Sequence, residues 1–525
     1  MKNLKTQSSK LKAPTSRFKI WSVVPIIATL FATSTAEAVY EASSDTGTEV
    51  FDYIENRRRE AREQQLTEEQ EKLLADIEKA KEELPHEPKE GDPVPAVFEG
   101  DDLVYYSGSG EFIATGKVDI IQLAGYRFQS EEAKGNVKQQ FVRVDEKAHV
   151  LQLTEGAPRV TLDGYKTYYN YGTKTGTMES ANGKMGEYYL TGKRFEFYPD
   201  HIVVYNGTQT KCGAKSPDYH LSAERMEIWP EQVVRMYNVK FWIKNKVVGT
   251  KDYEERQLGE KGKNYFPRVG YNSDHGLYVR DNFKIPLAKH LDLLIGAYVE
   301  TKHGFRSNAE IFYGNRELNA AVRYGFYDDS DDKWIQKEPS LDIWYEKHLE
   351  GMPLVYRIEG EVGHWRQNYV ASTHQEYEFN LYHDPIALGR YTMFLNAGYR
   401  ITKDNVKHSN RGNTSVHGSN YDVLLAREFD NRLAAYVGYS YDKNNSKNSV
   451  FDFNRDDYSR KFQAGVSYWL TPKDRFVVGV KVNTDNHRVE DVDYYWYHDL
   501  HCSQAVLRWR GKRSKLEVHW EFVPW

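Results

Sequence analysis

The chain has 525 residues, with 71 Lys and Arg against 76 Asp and Glu, for a formal net charge of −5. That balance excludes the basic footprint of a nucleic-acid binder. Mean hydropathy is −0.74, and after the N-terminus no apolar run reaches bilayer-spanning length, which excludes a bundle of membrane helices.

The first 38 residues read as a signal peptide. Lys2, Lys5, Lys10, Lys12, Arg17 and Lys19 form a basic leader, Ile20 to Phe31 an apolar run, and Ala36-Glu37-Ala38 a small-x-small cleavage site. The mature chain is expected to start at Val39. The alternative, a membrane anchor, is disfavoured because the apolar run is short. Export permits a disulfide.

Residues 39–95 form a charged helical segment and a linker. The helical stretch covers 51–84, with a capping box at Thr67 and Gln70 and a narrow apolar seam of Leu66, Leu73, Ile77, Ala80 and Leu84. Pro85, Pro88, Pro93 and Pro95 stop it. Its charge pattern reads as a solvated spacer rather than a partner-binding helix.

Residues 96–245 read as β throughout, with turn signals between strand-like runs. A repeat lies here. "YYLTGKRFEFYPDHIVVYNGT" starts at Tyr188, and "YHLSAERMEIWPEQVVRMYNV" starts 31 positions later at Tyr219. Leu190 matches Leu221, Arg194 matches Arg225, Glu196 matches Glu227 and Pro199 matches Pro230. Each unit is strand, turn, strand. Such units bury an apolar face only against their neighbours, so a stacked-hairpin sheet or jelly roll with a long interior is expected. Leu190, Phe195, Phe197, Leu221, Met226 and Ile228 should line that interior.

Residues 246–525 keep the β signal, with cleaner alternation and strands of about ten residues, the length that crosses a bilayer at a tilt. Leu318, Ala320, Val322, Tyr324 and Phe326 alternate with Asn319, Ala321, Arg323 and Gly325. Leu433 to Tyr441, Phe476 to Asn483 and Lys515 to Phe522 behave alike. A soluble sandwich would hide the apolar face against a second sheet. A membrane barrel turns it to lipid, and aromatic clusters near strand ends favour that reading. The count is about 14 strands, in the range 12–16. The expected fold class is therefore all-β, a periplasmic sheet domain followed by a transmembrane antiparallel barrel, with a short charged helix in front.

Four stretches carry a family resemblance. "TKCGAKSPDYHLSAERMEIWPEQVVRMYNVKFWI", "FPRVGYNSDHGLYVRDNFKIPL", "ATGKVDII" and "YWYHDLHCSQAVLRW" resemble the domain junction, first barrel hairpin, periplasmic element and penultimate cysteine-bearing region of the lipopolysaccharide-assembly family LptD, also called OstA. Three features depart from the family. The barrel portion is short, the charged helix is atypical, and Val247 and Val248 stand where the family carries prolines. The resemblance implies transport rather than catalysis, with no cofactor. Lipopolysaccharide would pass from a periplasmic LptA-like bridge into the sheet domain, its acyl chains on the six interior residues named above. It would leave between the first and last barrel strands, expected at 246–257 and 514–523, with Val247, Val248, Leu516, Val518, Trp520 and Phe522 at that seam. The barrel would sit in the outer membrane, inserted by the barrel-assembly machinery. Whether an LptE-like plug lipoprotein fills the lumen stays open, though barrels of this size commonly hold something.

Cys212 and Cys502 are the only cysteines. A disulfide between them is expected in an exported chain, with two inert thiols as the alternative. A metal site at His498, His501 and Cys502 is disfavoured, because no second Cys/His cluster accompanies it. Two other functions compete. One is a porin or adhesin on a periplasmic stalk. The other is an outer-membrane lipid-modifying enzyme, which lacks a G-x-S-x-G signature.

Overall fold

The computed structural model describes residues 46–82, 96–154, 158–230, 232–257, 268–315, 317–329, 332–406, 413–443, 450–453, 455–456 and 458–522. The expected signal peptide, the four linker prolines, Leu84 and the C-terminal Trp525 lie outside the described residues.

The expected single helix is two: α1 (Val50–Gln64) and α2 (Glu68–Glu82). The break has a local cause. The Thr67 N–H donates to Gln70 Oε1 at 3.1 Å and the Gln70 N–H to Thr67 Oγ1 at 3.3 Å. This capping box starts a new helix and so ends the previous one.

Twelve strands form one antiparallel sheet: β1 (Ala96–Glu99), β2 (Asp102–Tyr106), β3 (Glu111–Gln122), β4 (Tyr126–Asn136), β5 (Phe141–Gln152), β6 (Val160–Asn170), β7 (Thr175–Met185), β8 (Tyr188–Phe197), β9 (Ile202–Thr210), β10 (Tyr219–Trp229), β11 (Val233–Ile243) and β12 (Lys246–Gln257). They pair in chain order from β3 onward, and β1 and β2 share the outer edge of β3. Most of the long strands carry an irregularity near the middle. Lys117, Lys166, Ser180, Asn206 and Asn238 take left-handed φ values of 46–54° there. The alternation shifts at these points, so two consecutive residues face out: Tyr165-Lys166, Lys193-Arg194 and Glu224-Arg225. Such a bulge bends the strand. The apolar residues of both halves meet in one core that runs from Phe112 to Val239.

Sixteen further strands close into an antiparallel barrel: β13 (Arg268–Asn272), β14 (Gly276–Ala288), β15 (Leu291–Glu300), β16 (Gly304–Gly314), β17 (Leu318–Asp328), β18 (Trp334–His348), β19 (Leu354–Gln367), β20 (Val370–Leu388), β21 (Tyr391–Val406), β22 (Thr414–Glu428), β23 (Leu433–Asp442), β24 (Arg460–Trp469), β25 (Asp474–Asn483), β26 (Arg488–Asp499), β27 (Ser503–Arg510) and β28 (Lys515–Phe522). The alternation read from sequence holds. Val322, Tyr324, Val437, Phe476 and Val478 are exposed on the outside, while Ala321, Tyr436, Val477 and Lys481 are buried inside. This is the pattern of a barrel whose outer face meets lipid.

Two expectations are corrected. The barrel has sixteen strands, two more than the central count of 14 and at the upper end of the expected range of 12–16. The barrel starts at Arg268, not at residue 246. Residues 246–257 are β12, the last strand of the sheet, paired to β11 from Ile243↔Lys246 to Val233↔Gln257. Its Lys251, Asp252, Glu255 and Arg256 leave no apolar face to offer lipid.

Candidate functional site

The structure brings the six interior residues together. Phe195 and Met226 both pair with Val204 of the intervening strand β9, giving the row Met178, Phe195, Val204, Met226, Met236. Phe197 and Ile228 flank Ile202. Leu190 and Leu221 flank Gln209. All six belong to the one core, five fully buried and Phe197 half-buried against it. Gln209 was not singled out from sequence. It is a buried polar residue in an apolar row, and its Oε1 has no hydrogen-bond partner among the described residues. Its inward place in the alternation of β9 is the signal that could have found it.

At the Leu190–Leu221 end the sheet meets the barrel. Cys212, in the connection between β9 and β10, is disulfide-bonded to Cys502, in the turn before β27, with their Cα atoms 5.3 Å apart. Thr210 shapes the approach. Its hydroxyl donates to the Tyr219 carbonyl at 2.7 Å and accepts from the Cys212 N–H at 3.0 Å. Tyr219 and the two cysteines form a buried cluster, with Ala214, Ile243 and Trp520 packed on it. Trp520 belongs to the last barrel strand. The end of the sheet domain therefore rests on the outward face of β28. Cys502 is not a free thiolate, and His498 pairs with Asp474 at 2.8 Å. Among the described residues no His/Cys/Asp/Glu group has metal-binding geometry.

The barrel closes between β13 and β28 through four residue pairs, Val269↔Trp520 to Asn272↔Glu517. Among the described residues this is the shortest ladder in the barrel. Leu516, Val518 and Trp520 lie on this seam, and the Phe522 backbone pairs with Ser503 of β27. Val247 and Val248 do not. They sit on β12, opposite Trp242 and its neighbours, and leave the seam assignment. Val269, Gly270, Tyr271 and Asn272 replace them. Ser273 fastens the end of the seam remote from Cys502, its N–H donating to the Leu516 carbonyl and its Oγ accepting from the Leu516 N–H, each at 2.9 Å. Among the described residues β14 extends past β13 toward the Cys502 end. Residues 282–288 are exposed on both faces and include Pro286, which has no N–H to give.

The solvated-spacer expectation for the helical stretch is also overturned. Val50, Phe51 and Ile54 of α1 are buried inside the barrel against Phe394, Leu424, Ala426, Ala434, Tyr436 and Val477. Leu73 and Ile77 of α2 are buried against Ile121 and Leu151 of the sheet, where Arg127 pairs with Asp76 at 3.1 Å. An amphipathic pattern shows that a face is apolar, not what covers it. At the other end of the lumen Val450 and Phe451, between β23 and β24, pack on Ile335 and Trp365.

No protein-family model and no curated protein matches this chain. Solved structures similar to it include an engineered variant of the Rh. blastica porin, at 9% identity over 49% of this chain and 98% of that one, TM-score 0.28. Another is OmpT of Vibrio cholerae, at 10% identity over 70% and 99%, TM-score 0.25. Scores this low carry no argument. The outer-membrane type of barrel rests on its strand pairing and its apolar outer face.

Proposed function

We propose that the chain is the outer-membrane translocon that delivers lipopolysaccharide to the outer leaflet. The observation that carries this reading is where the sheet's apolar core ends. The core runs along the sheet to Leu190 and Leu221, and beyond that end a second buried cluster, Cys212, Tyr219 and Cys502, carries Trp520 of the strand that, among the described residues, pairs least in the barrel. Acyl chains need a long apolar trough, whereas a sugar-phosphate head group tolerates a polar, hydrated lumen. Gln209 offers an unpaired acceptor where the trough nears the barrel. The sheet domain then lies in the periplasm and takes its cargo from an LptA-like bridge. Its remote edge suits that partner: among the described residues β2 pairs only with β3, and Leu103, Val104, Tyr105 and Tyr106 are all exposed. Such an edge accepts a strand from another chain.

Depletion of the protein is the direct test. The expected result is loss of newly made lipopolysaccharide from the cell surface and its accumulation on the periplasmic side. A passive pore predicts normal lipopolysaccharide and a change only in small-solute uptake, which would sink the translocon reading.

A further inference from the structure

We propose that residues 46–64 are the barrel's own plug, a segment of this chain that fills the place a separate lumenal protein would otherwise take. This does not rest on the translocon reading, because it concerns how the barrel is closed whatever crosses it.

Three observations on different side chains support it. First, the apolar face of α1 has its complement in the wall. Phe51 meets Tyr436 edge-on with ring centroids 5.2 Å apart, and Tyr53 meets Phe394 likewise at 5.1 Å. A water-filled pore has no use for an apolar patch on its inner wall. In this lumen the patch is covered by three apolar residues of the same chain.

Second, the polar face of α1 is matched group by group. Asp52 accepts from Arg475 at 3.0 Å, and Glu55 accepts from the Trp469 indole at 2.9 Å. Arg58 donates to Glu428 at 3.0 Å and to the Asp430 carbonyl at 2.9 Å, and Arg57 also pairs with Glu428. These partners lie in distant parts of the sequence, and Arg475, Trp469 and Glu428 are buried or half-buried wall groups that would be costly to leave alone.

Third, the wall is carved for the segment. Gly479 faces the lumen, and a Cβ there would lie 2.6 Å from Thr48 Cγ2 and 2.9 Å from Thr46 Oγ1. The Tyr436 hydroxyl donates to the Thr46 carbonyl. The segment also cannot drift far. Three residues after α1 the chain enters α2, whose Leu73 and Ile77 are buried on the sheet.

The test uses the full mature chain in planar bilayers. Phe51→Asp with Ile54→Asp puts two charges into the apolar contact and should dislodge α1. Folding is checked by heat-modifiable migration and by the intact Cys212–Cys502 disulfide. The parent should conduct little, and the folded variant should conduct several-fold more. If the variant does not fold, a photo-crosslinker at Tyr436 in otherwise unaltered protein decides. It should form an intramolecular link to a peptide within residues 46–54. A folded variant that conducts no more than the parent overturns the plug, as does capture of a second polypeptide at Tyr436.

Discussion

Cys212 and Cys502 stand 290 positions apart and are joined across the boundary between sheet and barrel. Barrel closure explains how they meet. It sets the last strands beside the first, and the first follow directly on the sheet. In the chain-entropy view a loop this long constrains the unfolded state by about 5 kcal/mol, although measured values often fall short. Cys212→Ser with Cys502→Ser should therefore lower the urea midpoint of the detergent-folded protein. It should slow lipopolysaccharide delivery without abolishing it, because the Tyr219, Ile243 and Trp520 contacts and the α1–α2 link still join the two parts. Free thiols at both positions in membrane-inserted, functional protein would remove the clamp.

The second prediction concerns the seam. Tyr271 and Val518 are register partners across it. Tyr271→Cys with Val518→Cys should oxidise to a lock between β13 and β28, leaving heat-modifiable migration intact. Delivery of lipopolysaccharide should stop and return on reduction. Normal delivery by fully locked protein would place the exit elsewhere. Gly270→Ala tests the same line in the opposite sense. Its Cβ would fall 2.5 Å from the Val518 carbonyl oxygen, and overpacking of that kind typically costs about 1–3 kcal/mol. The folded variant should show a leakier, less heat-stable barrel.

The two repeat units were legible because matched residues land in one row. Tyr188 and Tyr219 open strands on either side of β9, so Leu190 and Leu221 reach the same Gln209. The barrel was legible for a similar reason, since a period of two with one apolar face survives any uncertainty about strand ends. Its start was not. β12 reads as β in sequence, and only the charges on both its faces separate it from β14, whose Leu277, Val279, Phe283 and Ile285 face outward. The place of α1 was hidden for a different reason. Phe51 and Ile54 mark an apolar face, and the charges around them look like a solvated surface. The partners of those charges, Arg475 and Glu428, lie 370 or more residues away, beyond the reach of any local pattern.

The third prediction tests the sheet interior. Phe197 and Ile228 flank Ile202 in one row, whereas Glu196 and Glu227 lie on the other side of their strands, held by Arg194 and Arg225. A photo-crosslinker at Phe197 or Ile228 should capture lipopolysaccharide in growing cells. One at Glu196 or Glu227 should not. Capture confined to the glutamate positions would mean that lipid travels on the outer face of the sheet and that the core is only a core.

The last prediction is a pH response in the sheet domain. His220 stacks on Trp242 with ring centroids 5.4 Å apart and planes 11° apart. The Trp242 indole is fixed by its donation to Ser222 Oγ at 2.8 Å. Burial pushes the pKa of His220 below the ordinary 6.5, because the charged ring loses water and gains no counter-charge. The unfolded chain therefore binds this proton first. The neutral ring contributes stability that is full above pH 6.5 and is lost as the pH falls through the lowered folded value. A protonated ring against the indole should also change Trp242 emission. Fluorescence of the folded protein, corrected with Trp242→Phe, should titrate with a midpoint below 6.5, and His220→Gln should abolish that step. A midpoint at or above 6.5, or a step that survives His220→Gln, would show that His220 is not the group that senses acid here.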